Sequence, residues 1–161
     1  MTREEAAEVR RKAGLEGSKV VFTNGCFDIL HRGHVEYLRS ASGLGTILIV
    51  GVNSDLSVRR VKGDRRPIIP LEDRMAVLAS LEFVDYVVSF EEDTPGQLID
   101  AIVPDVLVKG GDWQRTEVVG RETVERNGGR VEIIDFLEGY STRGIIEKIA
   151  AMYGQGSEKG V

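Results

Sequence analysis

A single cysteine, Cys26, in a chain of 161 residues rules out an internal disulfide framework and suits a reducing, cytoplasmic setting. No apolar run approaches the length needed to cross a bilayer, so no membrane role is expected. The first residues, Met1 to Glu5, are charged and lack the apolar core of a signal peptide. A net charge of −5 speaks against wholesale binding to nucleic acid. Internal repeats are absent. Histidine occurs only twice, and neither cysteine nor a third histidine supplies the other ligands of a zinc site, so no protein-held metal is expected. What remains is 42% hydrophobic, enough for one domain with a sizeable core over residues 1–153. A polar, glycine-rich tail, 154–161, is expected to fray.

The body of the chain alternates strand and helix. Val20 to Thr23, Thr46 to Val52, Asp85 to Phe90, Asp105 to Lys109 and Arg130 to Asp135 read as strands. Helical spacing marks Val35 to Ala41, the segment behind Pro70, the segment opened by Thr94-Pro95, Val118 to Arg126 and Ser141 to Met152. In the last of these Ile145, Ile146, Ile149 and Met152 are expected to face inward. A weaker period covers roughly residues 3–14. Strands apolar throughout need cover on both faces, which predicts a Rossmann-like, doubly wound, five-stranded parallel sheet in three α/β/α layers. Ligands of such folds lie at the carboxyl ends of the strands.

Five segments fall at those ends. The run Gly25-Cys26-Phe27-Asp28-Ile29-Leu30-His31-Arg32-Gly33-His34 sets both histidines between a buried strand and a helix. Helix N-termini offer unpaired N–H groups and a positive dipole, Gly33 allows close approach, and two imidazoles could donate to phosphate oxygens. Asp28 either binds substrate or braces this turn. Asn53 or Ser54, after the second strand, either meets substrate or caps the next helix. Between Arg59 and Arg66 lie five cations, with Lys62 the best candidate for a triphosphate and Arg74 extending the positive region; the other reading is a solvated face. Lys109 ends a strand beside Gly110 and Gly111, and Asp112 and Trp113 follow, where Trp113 contacts a sugar or base or merely covers the core. Ser141 and Thr142 open the last helix with hydroxyls beside free N–H groups, followed by the cation of Arg143.

The pattern Gly-x-Phe-Asp-x-x-His-x-Gly-His resembles the shared element of the nucleotidylyltransferase superfamily. The strings Phe22 to Asp28, Gly51 to Asp55, Lys62-Gly63-Asp64, Ser89 to Pro95 and Val108 to Asp112 are similar to the adenylyltransferase domains of the ADP-heptose synthase branch, and the resemblance covers about residues 19–150. It implies transfer of AMP from ATP, with Mg²⁺, to a heptose 1-phosphate, as a step toward lipopolysaccharide, in a homodimer. It also implies His31, His34 and Lys62 as catalytic residues. Thr23, Asn24, Gly25, Phe27, Gly33, Lys109, Gly110, Ser141, Thr142 and Arg143 are implied as nucleotide contacts, and Asp28, Asn53, Arg74, Asp112 and Trp113 as substrate contacts. Since that branch is often fused to a kinase and no kinase domain fits here, the chain reads as a free-standing form or an excised domain.

Departures narrow the reading. Phe136-Leu137 stand where glycerol-3-phosphate cytidylyltransferases carry Arg-Thr, which weakens a cytidylyl reading. Arg143 replaces the third member of the usual Ser-Thr-Thr run, and Tyr140 a smaller residue. The rivals are a cytidylyltransferase for glycerol 3-phosphate or another small polyol phosphate, a pantetheine-phosphate or flavin adenylyltransferase, and a non-catalytic nucleotide sensor.

Overall fold

The computed structural model describes residues 1–111 and 117–154. Asp112 and Trp113, and all but the first residue of the 154–161 tail, lie outside the described residues. In chain order the elements are α1 (Arg3–Leu15), β1 (Val20–Gly25), α2 (Arg32–Ser42), β2 (Ile47–Asn53), α3 (Asp55–Lys62), α4 (Leu71–Ala79), β3 (Tyr86–Phe90), α5 (Gly96–Ile102), β4 (Val106–Gly110), α6 (Arg121–Arg126), β5 (Arg130–Ile134) and α7 (Thr142–Tyr153).

The apolar strands are buried on both faces, as their composition requires. Along β1, Val20 and Phe22 join one core with Ile49, Val88, Leu98, Ile99 and Leu107, while Val21 between them joins a second core with Leu38, Val50, Leu78 and Val108. The alternation follows from the two-residue repeat of a strand. Helices α1, α5 and α6 supply Ala6, Ile102 and Val124 to the first core, and α2 and α4 supply Leu38 and Leu78 to the second. The three-layer α/β/α fold is thereby established.

All five strands are parallel, in the order β3-β2-β1-β4-β5. The chain builds outward from β1 to β3, then returns to the other side of β1 for β4 and β5. The order therefore reverses between β1 and β4, and a crevice opens at their carboxyl ends. Thr23 pairs with Val108 across this boundary. Its hydroxyl, fully buried, donates to the Val108 carbonyl at 3.1 Å and meets the Tyr37 hydroxyl at 2.6 Å. That knot holds α2 and β4 to β1 just beneath the crevice.

Two helical expectations need correction. The one placed over Val118 to Arg126 begins only at Arg121, after Gly120 at φ 85°. In α7 none of the apolar stripe is fully inward: Ile145 and Ile146 are half-buried, while Ile149 and Met152 are 51% and 63% exposed. Periodicity marks a stripe but not its cover.

Candidate active site

His31 is the N-cap of α2, and His34 falls in the helix's first turn. The connection from β1 is tight, with Phe27 and Ile29 both at positive φ, 49° and 56°. Such backbone is costly for side chains of this kind and persists only where surroundings enforce it. It brings the two imidazoles face to face, ring centres 3.8 Å apart and 20° from parallel, with the edge of Phe27 against His34 at 5.4 Å. Gly33 sits under the stack, and a Cβ there would come within 3.0 Å of the His31 ring and of Tyr140. Burial, then the neighbouring His31, push the His34 pKa down to about 4 against a weaker opposing pull from Asp28; burial also lowers that of His31. Both rings are thus neutral at pH 7. The Nδ1 atom of each is buried without a hydrogen-bond partner. Buried polar atoms are normally paired, and two orphans side by side mark a place prepared for something polar.

Asp28 braces this turn. Its carboxylate, 1% exposed, accepts from the N–H groups of Ile68 and Ile69 at 2.8 and 2.9 Å and from Arg66 Nε at 2.5 Å. Those donors hold its pKa down against the cost of burial. Its own carbonyl accepts the Thr142 hydroxyl at 2.8 Å. One residue thereby joins the histidine turn, the basic loop and the start of α7. Arg74 is likewise structural. It is 2% exposed and spends its guanidinium on the carbonyls of Ile69 and Cys26 and on Asp55. It does not line the cavity, because these acceptors are nearer to it than the opening is.

On the other side of the switch point Lys109 Nζ donates to Asn24 Oδ1, and burial pushes its pKa down to about 8. Phe136, 62% exposed, packs over Gly110 and Gly111, where any Cβ would overlap its ring. At the start of α7 the Ser141 hydroxyl accepts the Gly144 N–H at 3.0 Å. With the Thr142 hydroxyl and the Gly144 N–H also engaged, the helix end offers the N–H groups of Thr142 and Arg143 rather than its side-chain oxygens. Asn53 is 5% exposed and donates to Ser57 Oγ at 2.9 Å, and Ser54 caps α3.

These elements enclose a cavity of about 820 Å³ that runs along the whole carboxyl edge of the sheet. It gathers Asn24, Gly25, Phe27, Asp28, His34, Asn53, Lys62, Lys109, Gly110, Thr142 and Arg143, all singled out from the sequence. Thr23, His31, Gly33, Arg74 and Ser141 do not line it. The sequence reading missed Tyr37, Phe136 and the wall Asp93-Thr94-Pro95, and named Arg66 only as one of the five cations of the basic run. Asp93 and Thr94 stood inside a resemblance string but signalled only a helix start, and Phe136 was weighed only as a departure. Among the described residues no cluster of three metal-ligating side chains exists, and no helix is long and apolar enough to cross a membrane.

Neutral imidazoles at a helix start and cations on either side suit transfer at a bound nucleotide's phosphorus, and this is the chemistry of a nucleotidyltransferase. A family model described as cytidylyltransferase-like matches residues 22–147, and the chain belongs to that family. Curated relatives include the bifunctional protein HldE of Citrifermentans bemidjiense, 60% identical over 137 residues, which are 85% of this chain and 28% of that one. The protein of the same name in Salmonella enteritidis PT4 is 58% identical over 149 residues, 92% of this chain and 31% of that one. The chain thus spans under a third of the length of these relatives. Among solved structures, a lipopolysaccharide core biosynthesis protein from Thermoplasma volcanium GSS1 superimposes with a TM-score of 0.63 at 30% identity, covering 78% of this chain and all of that one.

Proposed function

We propose that the chain transfers adenylate from ATP to a heptose 1-phosphate, giving ADP-heptose and pyrophosphate. The observation that carries this is the stacked, neutral, unpartnered pair His31–His34 beside a cavity bordered by Lys62 and Arg143. An oxygen of the sugar phosphate attacks the α-phosphorus in line, the bond to the β-phosphate oxygen breaks, and pyrophosphate leaves with that oxygen. The attacking group is already an anion, so no general base is needed. Catalysis then rests on alignment and on donors preset for the charge that builds at the transferred phosphoryl group. In this reading His31 and His34 donate to its oxygens, and Lys62, Arg143 and the N–H groups opening α7 neutralise the β- and γ-phosphates.

Mg²⁺ enters as the companion of the substrate's phosphates, which suits an ion usually held by few protein ligands. Names of relatives that refer to HldE and to lipopolysaccharide core biosynthesis support the sugar assignment. A cytoplasmic location and a homodimer belong to the same reading, the second on resemblance alone; sedimentation at the monomer mass would remove it.

The test is pyrophosphate release with ATP or CTP against heptose 1-phosphate and glycerol 3-phosphate. ATP with heptose 1-phosphate is expected to be far the best pair, Phe136-Leu137 taking the place of the cytidylyl Arg-Thr. Equal or faster turnover with CTP would overturn the adenylyl assignment.

A further inference from the structure

The cavity is asymmetric in chemistry. Its centre and one end carry cations: Lys62, Arg66, Lys109 and Arg143. Its other end, beyond the carboxyl terminus of β3, is lined among the described residues by Asp93, Thr94 and Pro95 together with Val118 and Val119. Asp93 is paired through Oδ1 with Arg60, which does not line the cavity, so what this wall presents is acceptor oxygen. It suits neutral donors, and hydroxyl groups above all.

The wall is also built to stay in place. Asn53 donates to Ser57, and Ser57 Oγ donates to the Glu92 carbonyl at 2.8 Å. Arg60 donates through Nη2 to the Glu91 carbonyl and through Nε to Asp93 Oδ1 at 2.5 Å. From α1, Arg3 meets the Glu92 carboxylate at 2.5 Å. The loop after β3 is therefore tied to α1, to α3 and, through Ser57, to β2. Among the described residues Asp93 Oδ2 has no hydrogen-bond partner.

We propose that Asp93 and Thr94 form the subsite for the hydroxyl groups of the acceptor sugar, with Asp93 a specificity-determining residue oriented by Arg60 and Asn53 a positioning residue behind it. The proposal rests on the sugar-phosphate reading above and names which part of the cavity recognises the sugar. The phosphates then occupy the cationic centre beside His34, and the nucleoside lies toward Phe136. The acceptor's hydroxyls reach the wall where Asp93 and Thr94 oxygens accept their hydrogens.

Asp93→Asn is the informative change, because Oδ1 remains for Arg60 while the other oxygen becomes a donor. With heptose 1-phosphate as the varied substrate, Asp93→Asn and Thr94→Val are each expected to raise KM about 10-fold or more, the scale of losing a hydrogen bond to a charged or buried partner. KM for ATP is expected to stay within about 2-fold, since uniform loss of one ligand's contacts leaves the other's alone. The preference for heptose 1-phosphate over a hexose 1-phosphate should shrink with them. Unchanged acceptor KM in both variants, or a rise in ATP KM of equal size, would overturn the subsite. Should wild type use a different acceptor, or none, calorimetric titration of sugar phosphates onto wild type and Asp93→Asn reads the wall independently. Equal affinities there would overturn the subsite as well, whereas weaker binding to the variant would uphold it even if the transfer reaction proved to be another.

Discussion

At His34, burial and the neighbouring imidazole combine to keep a side chain neutral that water would half-protonate near pH 6.5. The consequence has a sign. A histidine whose pKa is lower in the folded state binds fewer protons there than when unfolded, so its share of stability is present above about pH 6.5 and is lost as the pH falls toward about 4. A triphosphate beside the ring reverses this by favouring the charged form. ATP binding at pH 5–6 is therefore expected to take up protons, read as a buffer-dependent enthalpy in titration calorimetry, and the uptake should vanish in His34→Gln. In the same vein His34→Ala is expected to lower kcat by about 10²- to 10³-fold, the scale of one lost preset donor, with Tm near wild type. A near-normal kcat in a folded His34→Ala protein would show that the pair is not catalytic. Lys109 is the converse case, a cation held in a poorly solvated place where, among the described residues, it donates to the Asn24 amide oxygen. Its charged form is disfavoured on folding, so stability rises with pH between about 8 and the ordinary lysine value. Lys109→Met should melt at or above wild type at pH 7, lose that advantage as the pH climbs past 8 to 10, and bind ATP or acceptor more weakly. A lower Tm at pH 7 would mean that the Asn24 bond outweighs the burial cost.

Among the elements, α3 and the loop after it divide one basic run into parts with different duties. Lys62 ends the helix and reaches the cavity, Arg60 is spent on Asp93, and Arg66 on Asp28, while Arg59 does not line the cavity. Lys62→Ala is expected to lower kcat/KM for ATP by about 10- to 150-fold, the cost of one charge-assisted contact, and Arg59→Ala to change it little. Equal behaviour of the two would return the run to a solvated face. The sequence made the presence of this segment legible, because five cations in an acidic chain stand out, but not the division of labour, which depends on acceptors brought by other elements. Arg74 shows the same limit. An arginine on an amphipathic helix reads alike whether it faces a ligand or three distant oxygens, and only the fold puts Ile69, Cys26 and Asp55 around it. Asp28 left two readings open; the N–H groups of Ile68 and Ile69, some forty residues on, supply the bracing contacts, while the residue also stands on the cavity lining. The strands were legible for the opposite reason: burial on both faces leaves its mark in consecutive apolar residues. The stripe of α7 was legible too, but its exposure was not, because periodicity marks a stripe and not its cover.

Taken whole, the molecule carries a net charge of −5 and yet lines its cavity with Lys62, Arg66, Lys109 and Arg143. Of these Arg66 is neutralised by the buried Asp28, and the other carboxylate on the lining among the described residues, Asp93, is held by Arg60. A triphosphate approaching from water therefore meets a broadly negative body and one positive opening. Charged clefts focus potential and speed the encounter, and salt screens it over about 8–10 Å at physiological strength. The KM for ATP should accordingly rise several-fold between about 50 and 500 mM NaCl, where the screening length falls below the width of the cleft, while kcat, set by contacts at close range, moves less. The slope should flatten in Lys62→Ala, because removing one cation from the opening weakens the focusing itself. Steady-state kinetics across the salt series, with wild type and variant at matched pH, reads both effects. A salt-independent KM in wild type would mean that neither the cleft's cations nor the body's net charge governs the nucleotide's arrival, and that the cations act only after it has docked.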